Sequence, residues 1–168
     1  MTASQNTIAL RGLSFTGPDR PRAGVDFDLG LNLLFGASNT GKSFMVKVLD
    51  FMLGSSRPLP GIGERDGYDR AWLALTLPTQ GDVTLMRSLA GGAFELHAGH
   101  VSAIERERNV RALSARHDHS NDDNLSQLLL NELGFGNKSI AVDANGKKRS
   151  LSFRDILRFC LVDETIIQ

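Results

Sequence analysis

The residues whose types and spacing point most directly to chemistry form a single glycine-rich motif. Residues 36–43 read GASNTGKS, which is the complete G-x-x-x-x-G-K-[ST] pattern of a phosphate-binding loop, or P-loop. Gly36 and Gly41 let the backbone turn tightly and approach phosphate groups, and Lys42 would reach the β- and γ-phosphates. The hydroxyl of Ser43 would ligate Mg²⁺. The motif therefore predicts a site for the phosphates of ATP, or of a closely related nucleoside triphosphate, with Mg²⁺.

The main chain of the motif is expected to contribute as much as its side chains. The N–H groups from Asn39 to Phe44 would point inward as an anion-binding nest. The helix that starts near Lys42 would aim the positive end of its dipole at the same place. Lys42 is the catalytic residue that the motif itself would supply. The residues expected to contact the nucleotide are Gly36, Ser38, Asn39, Thr40, Gly41, Lys42, Ser43 and Phe44.

The elements on either side of the motif must hold it in place. Residues 31–35 read LNLLF and are nearly all apolar, which predicts a central strand covered on both faces. Residues 42–53 carry apolar side chains at helical spacing and on almost every side, which predicts a deeply buried helix. Gly54 is expected to cap the end of this helix. A strand, the motif and a helix in that order are the context that a P-loop requires.

Most of the remaining elements are expected to be strands joined by short turns. Gly81 with Asp82 and Gly91 with Gly92 mark turns that favour an antiparallel meander. An Asn-Gly pair at 145–146 predicts a further hairpin near the C-terminal end. Single strands are expected at 7–15, 25–29, 71–77, 83–89 and 93–97.

Two helices are predicted from their N-terminal capping patterns. Ser120 and Asp123 are spaced as a capping box for a helix at 123–133. Ser152 and Asp155 form a second capping box, which precedes a helix expected at 153–161. The whole order of elements predicts an α/β fold with an antiparallel β subdomain.

Length and composition bound both the domain number and the setting. The chain has 168 residues, so we expect one P-loop ATP-binding domain over 1–168. The formal net charge is zero, which excludes a basic nucleic-acid footprint over the whole domain. Cys160 is the single cysteine, so no internal disulfide forms and a reducing compartment is expected. No apolar stretch is long enough to cross a bilayer and no signal pattern is visible, which predicts a cytoplasmic protein without a membrane partner.

The segment 31–54 resembles the N-terminal part of an SMC/RecN-like ABC ATPase, where SMC stands for structural maintenance of chromosomes. A short turn containing asparagine, GLN at 30–32, leads toward the loop. The loop itself has the form G-x-(S/N)-N-x-G-K-S, and the helix after it ends in DFMLG at 50–54. The early strand at 7–15 also fits the family. The resemblance is specific over 7–54 and topological after that.

The resemblance implies a P-loop NTPase fold, an ABC-ATPase-like N-terminal lobe with an antiparallel β subdomain around the nucleotide. It implies ATP with Mg²⁺ as the bound species. In this family two heads sandwich two ATP molecules, so a homodimer formed through ATP is implied. Each site is completed by an LSGG-like signature motif, and the sequence has no such motif. The chain is therefore expected to be the N-terminal part of a longer protein, with the C-terminal lobe of its own full-length chain as a partner.

The C-terminal end admits three interpretations that the sequence leaves open. Residues 159–164 read FCLVDE and match a Walker B pattern. Asp163 would then hold Mg²⁺ through water, and Glu164 would polarise the attacking water as a catalytic residue. Alternatively the chain reaches the family's Q-loop, and Gln168 approaches Mg²⁺ and the γ-phosphate. In the third interpretation all of these residues are structural.

Three functions follow from these features. The first is ATP binding by one lobe of an SMC/RecN-like ATPase, hydrolysing ATP once completed, in DNA repair, chromosome maintenance or anti-phage defence. The second is a self-contained small P-loop NTPase or kinase-like enzyme. The third is a module that binds ATP without hydrolysing it. DNA is a further candidate partner, because the basic residues KKR at 147–149 lie beside a hairpin turn.

Overall fold

The dominant element is one six-stranded antiparallel sheet. A computed structural model of the chain describes residues 6–35, 41–101 and 110–161. The strands follow the spatial order β2-β1-β3-β4-β5-β6. Their bounds are β1 Ala9–Gly17, β2 Arg20–Asp26, β3 Arg70–Leu77, β4 Gly81–Ser88, β5 Phe94–Ala98 and β6 Val110–Leu113.

Alternation along the strands explains why one face of the sheet is covered. On β3 the side chains of Leu73, Leu75 and Leu77 are buried in the main core, because successive residues point to opposite faces. Trp72 points the other way and packs with Met86 in a smaller cluster. Short turns join β3, β4 and β5 in antiparallel register, so the predicted meander is confirmed.

Three helices cover the core face of the sheet among the described residues. Val48, Leu49 and Phe51 of the first helix belong to the same buried cluster as the strands. The second helix contributes Leu128 and Leu129 to that cluster. None of these helices is long and apolar enough to span a membrane. The helices are α1 Lys42–Met52, α2 Leu125–Glu132 and α3 Phe153–Leu157, and a separate hairpin pairs β7 Ser139–Ala141 with β8 Lys148–Ser150.

The predicted fold class, an α/β P-loop NTPase with an ABC-ATPase-like N-terminal lobe, is wrong. Among the described residues every pair of neighbouring strands is antiparallel, and the helices are few and short. Parallel strands need long crossover connections, usually a helix. Here β3, β4 and β5 follow one another through tight turns instead. The antiparallel part of the prediction accounts for nearly the whole described sheet.

The predicted central strand at 31–35 is also wrong. Leu31, Leu33 and Phe35 are 96%, 78% and 86% exposed, and the segment belongs to no strand. The turn before it is present, because the side chain of Asn32 accepts from the N–H of Asp28 at 3.0 Å and donates back to its carbonyl at 2.9 Å. An apolar run indicates a need for burial, but it does not supply the neighbouring strands that would bury it.

The caps give a mixed outcome. The Ser152 capping box is confirmed, since the Asp155 carboxylate accepts from both the N–H and the hydroxyl of Ser152, at 2.9 and 2.8 Å. The Ser120 capping box is wrong, because α2 begins one residue after Asn124. The amide oxygen of Asn124 accepts from the N–H of Gln127 at 2.9 Å, which is an ordinary N-cap bond.

Candidate phosphate-binding site

The described part of the motif opens α1. Gly41 occupies the N-cap position in a left-handed conformation, with φ 81° and ψ 2°. The N–H of Met45 donates to the carbonyl of Gly41 at 3.0 Å, which starts the helical hydrogen-bond ladder. A Cβ added at Gly41 would meet no atom of the described residues within 4 Å. Glycine is therefore required here by backbone conformation and not by lack of space.

The first turn of α1 has the electrostatic character that an anion site needs. Lys42 is half-buried and Ser43 is exposed. No acidic side chain lies in this turn. The N-terminal end of a helix carries a partial positive charge that attracts phosphate groups. The charge of Lys42 adds to this end, and no carboxylate of the same turn offsets it.

Aromatic contacts fix the start of α1 against the sheet. The ring of Phe44 stacks on Phe15 of β1, with centroids 6.2 Å apart and planes 29° apart. Phe15 in turn meets the ring of Tyr68 edge-on at 6.1 Å. The hydroxyl of Tyr68 donates to the carbonyl of Pro21 at 3.0 Å. The side chain of Phe44 is thus a packing residue, and only its main chain is available for the nucleotide role that the sequence predicts.

The other end of α1 is held by a buried arginine that sequence analysis missed. Arg87 of β4 donates through Nη1 to the carbonyls of Phe51 and Ser55, at 2.7 and 2.9 Å. Its guanidinium lies between the rings of Phe51 and Phe94, 4.0 and 4.5 Å from their centroids. Burial lowers the pKa of Arg87 below its usual value. Strand alternation was the available signal, since it places Arg87 on the same face as Leu85.

The structure brings only part of the predicted site together. Gly41, Lys42, Ser43 and Phe44 are consecutive at the start of α1. The other predicted contact residues, Gly36, Ser38, Asn39 and Thr40, lie outside the described residues.

The three C-terminal candidates, Asp163, Glu164 and Gln168, lie outside the described residues as well. The residues that lead toward them are described. Phe159, which would begin the Walker B strand, is 86% exposed in a turn that follows α3. The N–H groups of Cys160 and Leu161 both donate to the carbonyl of Leu157, as in a helical turn. The approach to Asp163 is therefore not a buried strand up to Leu161.

No cluster of three or more His, Cys, Asp or Glu side chains is placed to hold a metal ion within 6–35, 41–101 and 110–161. Such a cluster is not what Mg²⁺ needs beside a nucleotide. Mg²⁺ keeps several waters and binds through substrate phosphates with one or two protein ligands. The position of Ser43, an exposed residue at the start of α1, fits that mode of binding.

The basic residues at 147–149 offer less to DNA than the sequence suggests. Arg149 donates to both carboxylate oxygens of Asp155, at 2.8 and 2.7 Å. These bonds, with those from Ser152, lower the pKa of Asp155 far below its usual range, against the opposing effect of burial. Arg149 is exposed but paired with Asp155, which leaves Lys147 and Lys148 as the other two exposed cations of this cluster.

No protein-family model matches the chain, and no curated protein matches it either.

Proposed function

We propose that this chain binds the phosphates of ATP, with Mg²⁺, at the loop that runs into the N-terminus of α1. One observation carries the proposal. A complete P-loop pattern places a left-handed glycine, Gly41, at the N-cap of a helix that begins with Lys42 and Ser43 and has no acid in its first turn. Lys42 would contact the β- and γ-phosphates, and Ser43 would ligate Mg²⁺.

Hydrolysis would depend on groups beyond this first turn. Phosphoryl transfer needs charge neutralisation and a residue that orients the attacking water. Lys42 and the helix N-terminus would supply the neutralisation. Asp163, Glu164 and Gln168 remain the candidates in this chain for holding Mg²⁺ and orienting water. We propose that efficient turnover requires the C-terminal lobe of the full-length chain.

An exposed apolar surface supports the proposal of a missing partner. Leu31, Leu33 and Phe35 are exposed directly before the motif. Contiguous exposed apolar side chains usually mark an interaction surface. Because this surface adjoins the phosphate loop, whatever covers it would lie beside the nucleotide. The C-terminal lobe is the covering partner that we propose, and a homodimer through ATP would follow from the SMC/RecN-like resemblance.

The proposed setting follows from the same resemblance. A cytoplasmic ATPase of DNA repair, chromosome maintenance or anti-phage defence would use ATP binding to bring two heads together. DNA would be a partner of that assembly.

The exposed Lys47 on α1 is not part of the proposed nucleotide contact, so it provides a matched control for Lys42.

Calorimetric titration with Mg²⁺ and ATP tests the proposal. The wild-type chain should bind ATP saturably, and Lys42→Ala should weaken binding at least about tenfold because a charge-assisted phosphate contact is lost. Lys47→Ala should bind as the wild type does. Equal affinity of Lys42→Ala and wild type for ATP would contradict the proposal. Turnover by the chain alone, abolished in Lys42→Ala, would favour a self-contained NTPase over an incomplete one.

A further inference from the structure

A cavity lies at the opposite end of α1 from the P-loop. It has a volume of about 800 Å³, within the range typical of small-molecule sites. Arg65, Arg87 and Arg116 line it, together with apolar side chains that include Leu59 and Leu89. No acidic residue is among the described residues that line it. Because the chain as a whole has zero formal net charge, this concentration of positive charge is local.

Arg87 is the buried part of this positive surface. It is only 3% exposed, and its hydrogen bonds all go to main-chain carbonyls. Nη2 makes no hydrogen bond to the described residues. No carboxylate of the described residues pairs with the guanidinium. A buried cation in the wall of a cavity, with N–H groups that no described residue uses, is suited to binding an anion.

The turn beside Arg87 extends the polar wall. Gly91 and Gly92 join β4 to β5 with φ values of 98° and 97°, and both line the cavity. Arg65 is anchored by its own bonds to the carbonyls of Leu59 and Leu89, at 3.3 and 2.8 Å. Its orientation is therefore fixed before any ligand arrives. Pre-positioned guanidinium groups bind oxyanions at a low cost in conformational entropy.

We propose that this cavity binds a small organic anion, with its phosphate or carboxylate group against Arg87 and Arg65 and its apolar body against the leucines. The chemistry of the wall sets this class, because the cationic groups select an oxyanion and the apolar groups select a molecule with a hydrophobic part. The exposed Arg116 at the rim adds attraction without being part of the buried contact. This site is separate from the P-loop and does not depend on the nucleotide function.

The test is a titration followed by NMR amide shifts, in the Lys42→Ala chain so that the P-loop does not contribute. The probes are phenyl phosphate, benzoate and, as the neutral analogue, phenol. Saturable shifts at Gly91 and Gly92 with phenyl phosphate or benzoate, and not with phenol, are expected. Comparing the two anions distinguishes a phosphate ligand from a carboxylate ligand. Absence of saturable shifts with both anions, or equal binding of phenol, overturns the proposal.

Variants that leave Arg65 and Arg87 intact keep the test independent of folding. Ala90→Glu places a negative charge at an exposed residue that lines the cavity and should weaken anion binding roughly tenfold. Ala23→Glu adds the same charge at an exposed alanine of β2, which is not among the lining residues, and should bind like the parent. Arg116→Ala should weaken binding about twofold to fivefold, as an exposed ion pair would. Identical affinity of Ala90→Glu and Ala23→Glu contradicts the assignment.

Discussion

Replacing Arg87 by methionine should destabilise the fold more than replacing Arg65 by methionine. The guanidinium donates to three main-chain carbonyls, those of Phe51, Ser55 and Gly92. Replacing a buried ion pair by apolar groups is often neutral, because both charges disappear together. Here the partners are carbonyls of the main chain, which no side-chain substitution removes. The carbonyl of Ser55 would lose its donor at a buried residue, that of Phe51 would keep only the N–H of Gly54, and that of the exposed Gly92 can turn to water.

The magnitude follows from these unpaired carbonyls. Each buried polar group left unsatisfied costs about 1–3 kcal/mol, and methionine recovers part of the loss by packing between the two rings. Because one buried carbonyl loses its donor and a second loses one of two, we expect Arg87→Met to lower the free energy of unfolding by about 2–4 kcal/mol. Arg65→Met, which frees two carbonyls at a partly exposed position, should lower it by about 1–2 kcal/mol.

Urea unfolding followed by circular dichroism measures both variants against the wild type. The unfolding midpoint should fall in the order wild type, Arg65→Met, Arg87→Met, with an unchanged slope. A loss below about 1 kcal/mol for Arg87→Met, or a loss no greater than that of Arg65→Met, would refute the reasoning. It would mean that water satisfies the carbonyls at the end of α1 and that Arg87 does not hold the helix.

Two further predictions concern backbone conformation and pH. Gly41→Ala should destabilise the fold by about 0.5–1.5 kcal/mol because alanine is strained at φ 81°. Gly63→Ala, at an equally open position without positive φ, should stabilise the fold by about 0.4–1 kcal/mol. Thermal unfolding of the two variants checks this, and equal shifts of their unfolding temperatures would contradict it. The hydrogen bonds from Arg149 lower the folded-state pKa of Asp155, so the stability it contributes is present above its unfolded pKa near ~4 and is lost as pH falls through the folded value. Asp155→Asn should therefore cost about 1–2 kcal/mol at neutral pH and flatten the acid side of the stability profile, and an unchanged profile would exclude this role.

Local signals in the sequence were sufficient to predict the elements that form between residues close together in the chain. The apolar spacing over 42–53 and the glycine after it predicted α1, and Gly54 indeed has φ 102°. The turn residues Gly81 with Asp82 and Gly91 with Gly92 predicted the meander, because antiparallel neighbours need only a short connection. Ser152 and Asp155 predicted the start of α3 for the same reason, since a capping box involves only four consecutive residues.

Sequence signals did not predict the features that depend on contacts between residues far apart in the chain. The run at 31–35 was predicted as a buried strand, but nothing within that run specifies what pairs with it. The strand β6 was not predicted at all, because its pairing with β5 crosses a polar stretch without periodicity. The capping role of Arg87 joins β4 to the end of α1, a contact between residues 36 positions apart for Phe51 and 32 for Ser55.

In the candidate site, too, some groups could be predicted from local sequence and others could not. The pattern at 36–43 predicts which residue types would meet a phosphate, and the structure places Lys42 and Ser43 at the start of a helix whose N-cap is Gly41. The groups that would activate water come from elsewhere in the chain or from a partner. Sequence spacing alone does not decide among Asp163, Glu164 and Gln168, since their positions depend on tertiary contacts.

The most direct test of the central claim is to locate the metal–nucleotide complex on the chain. ATP with Mn²⁺ in place of Mg²⁺ broadens NMR signals of nearby amides, and α1 is roughly 16 Å long at 1.5 Å per residue, so its two ends are distinguishable. We predict that the amides of Gly41 to Phe44 broaden first, before those of Gly91 and Gly92. Strongest broadening at Gly91 and Gly92, or anywhere away from the start of α1, would contradict the assignment of the P-loop as the nucleotide site.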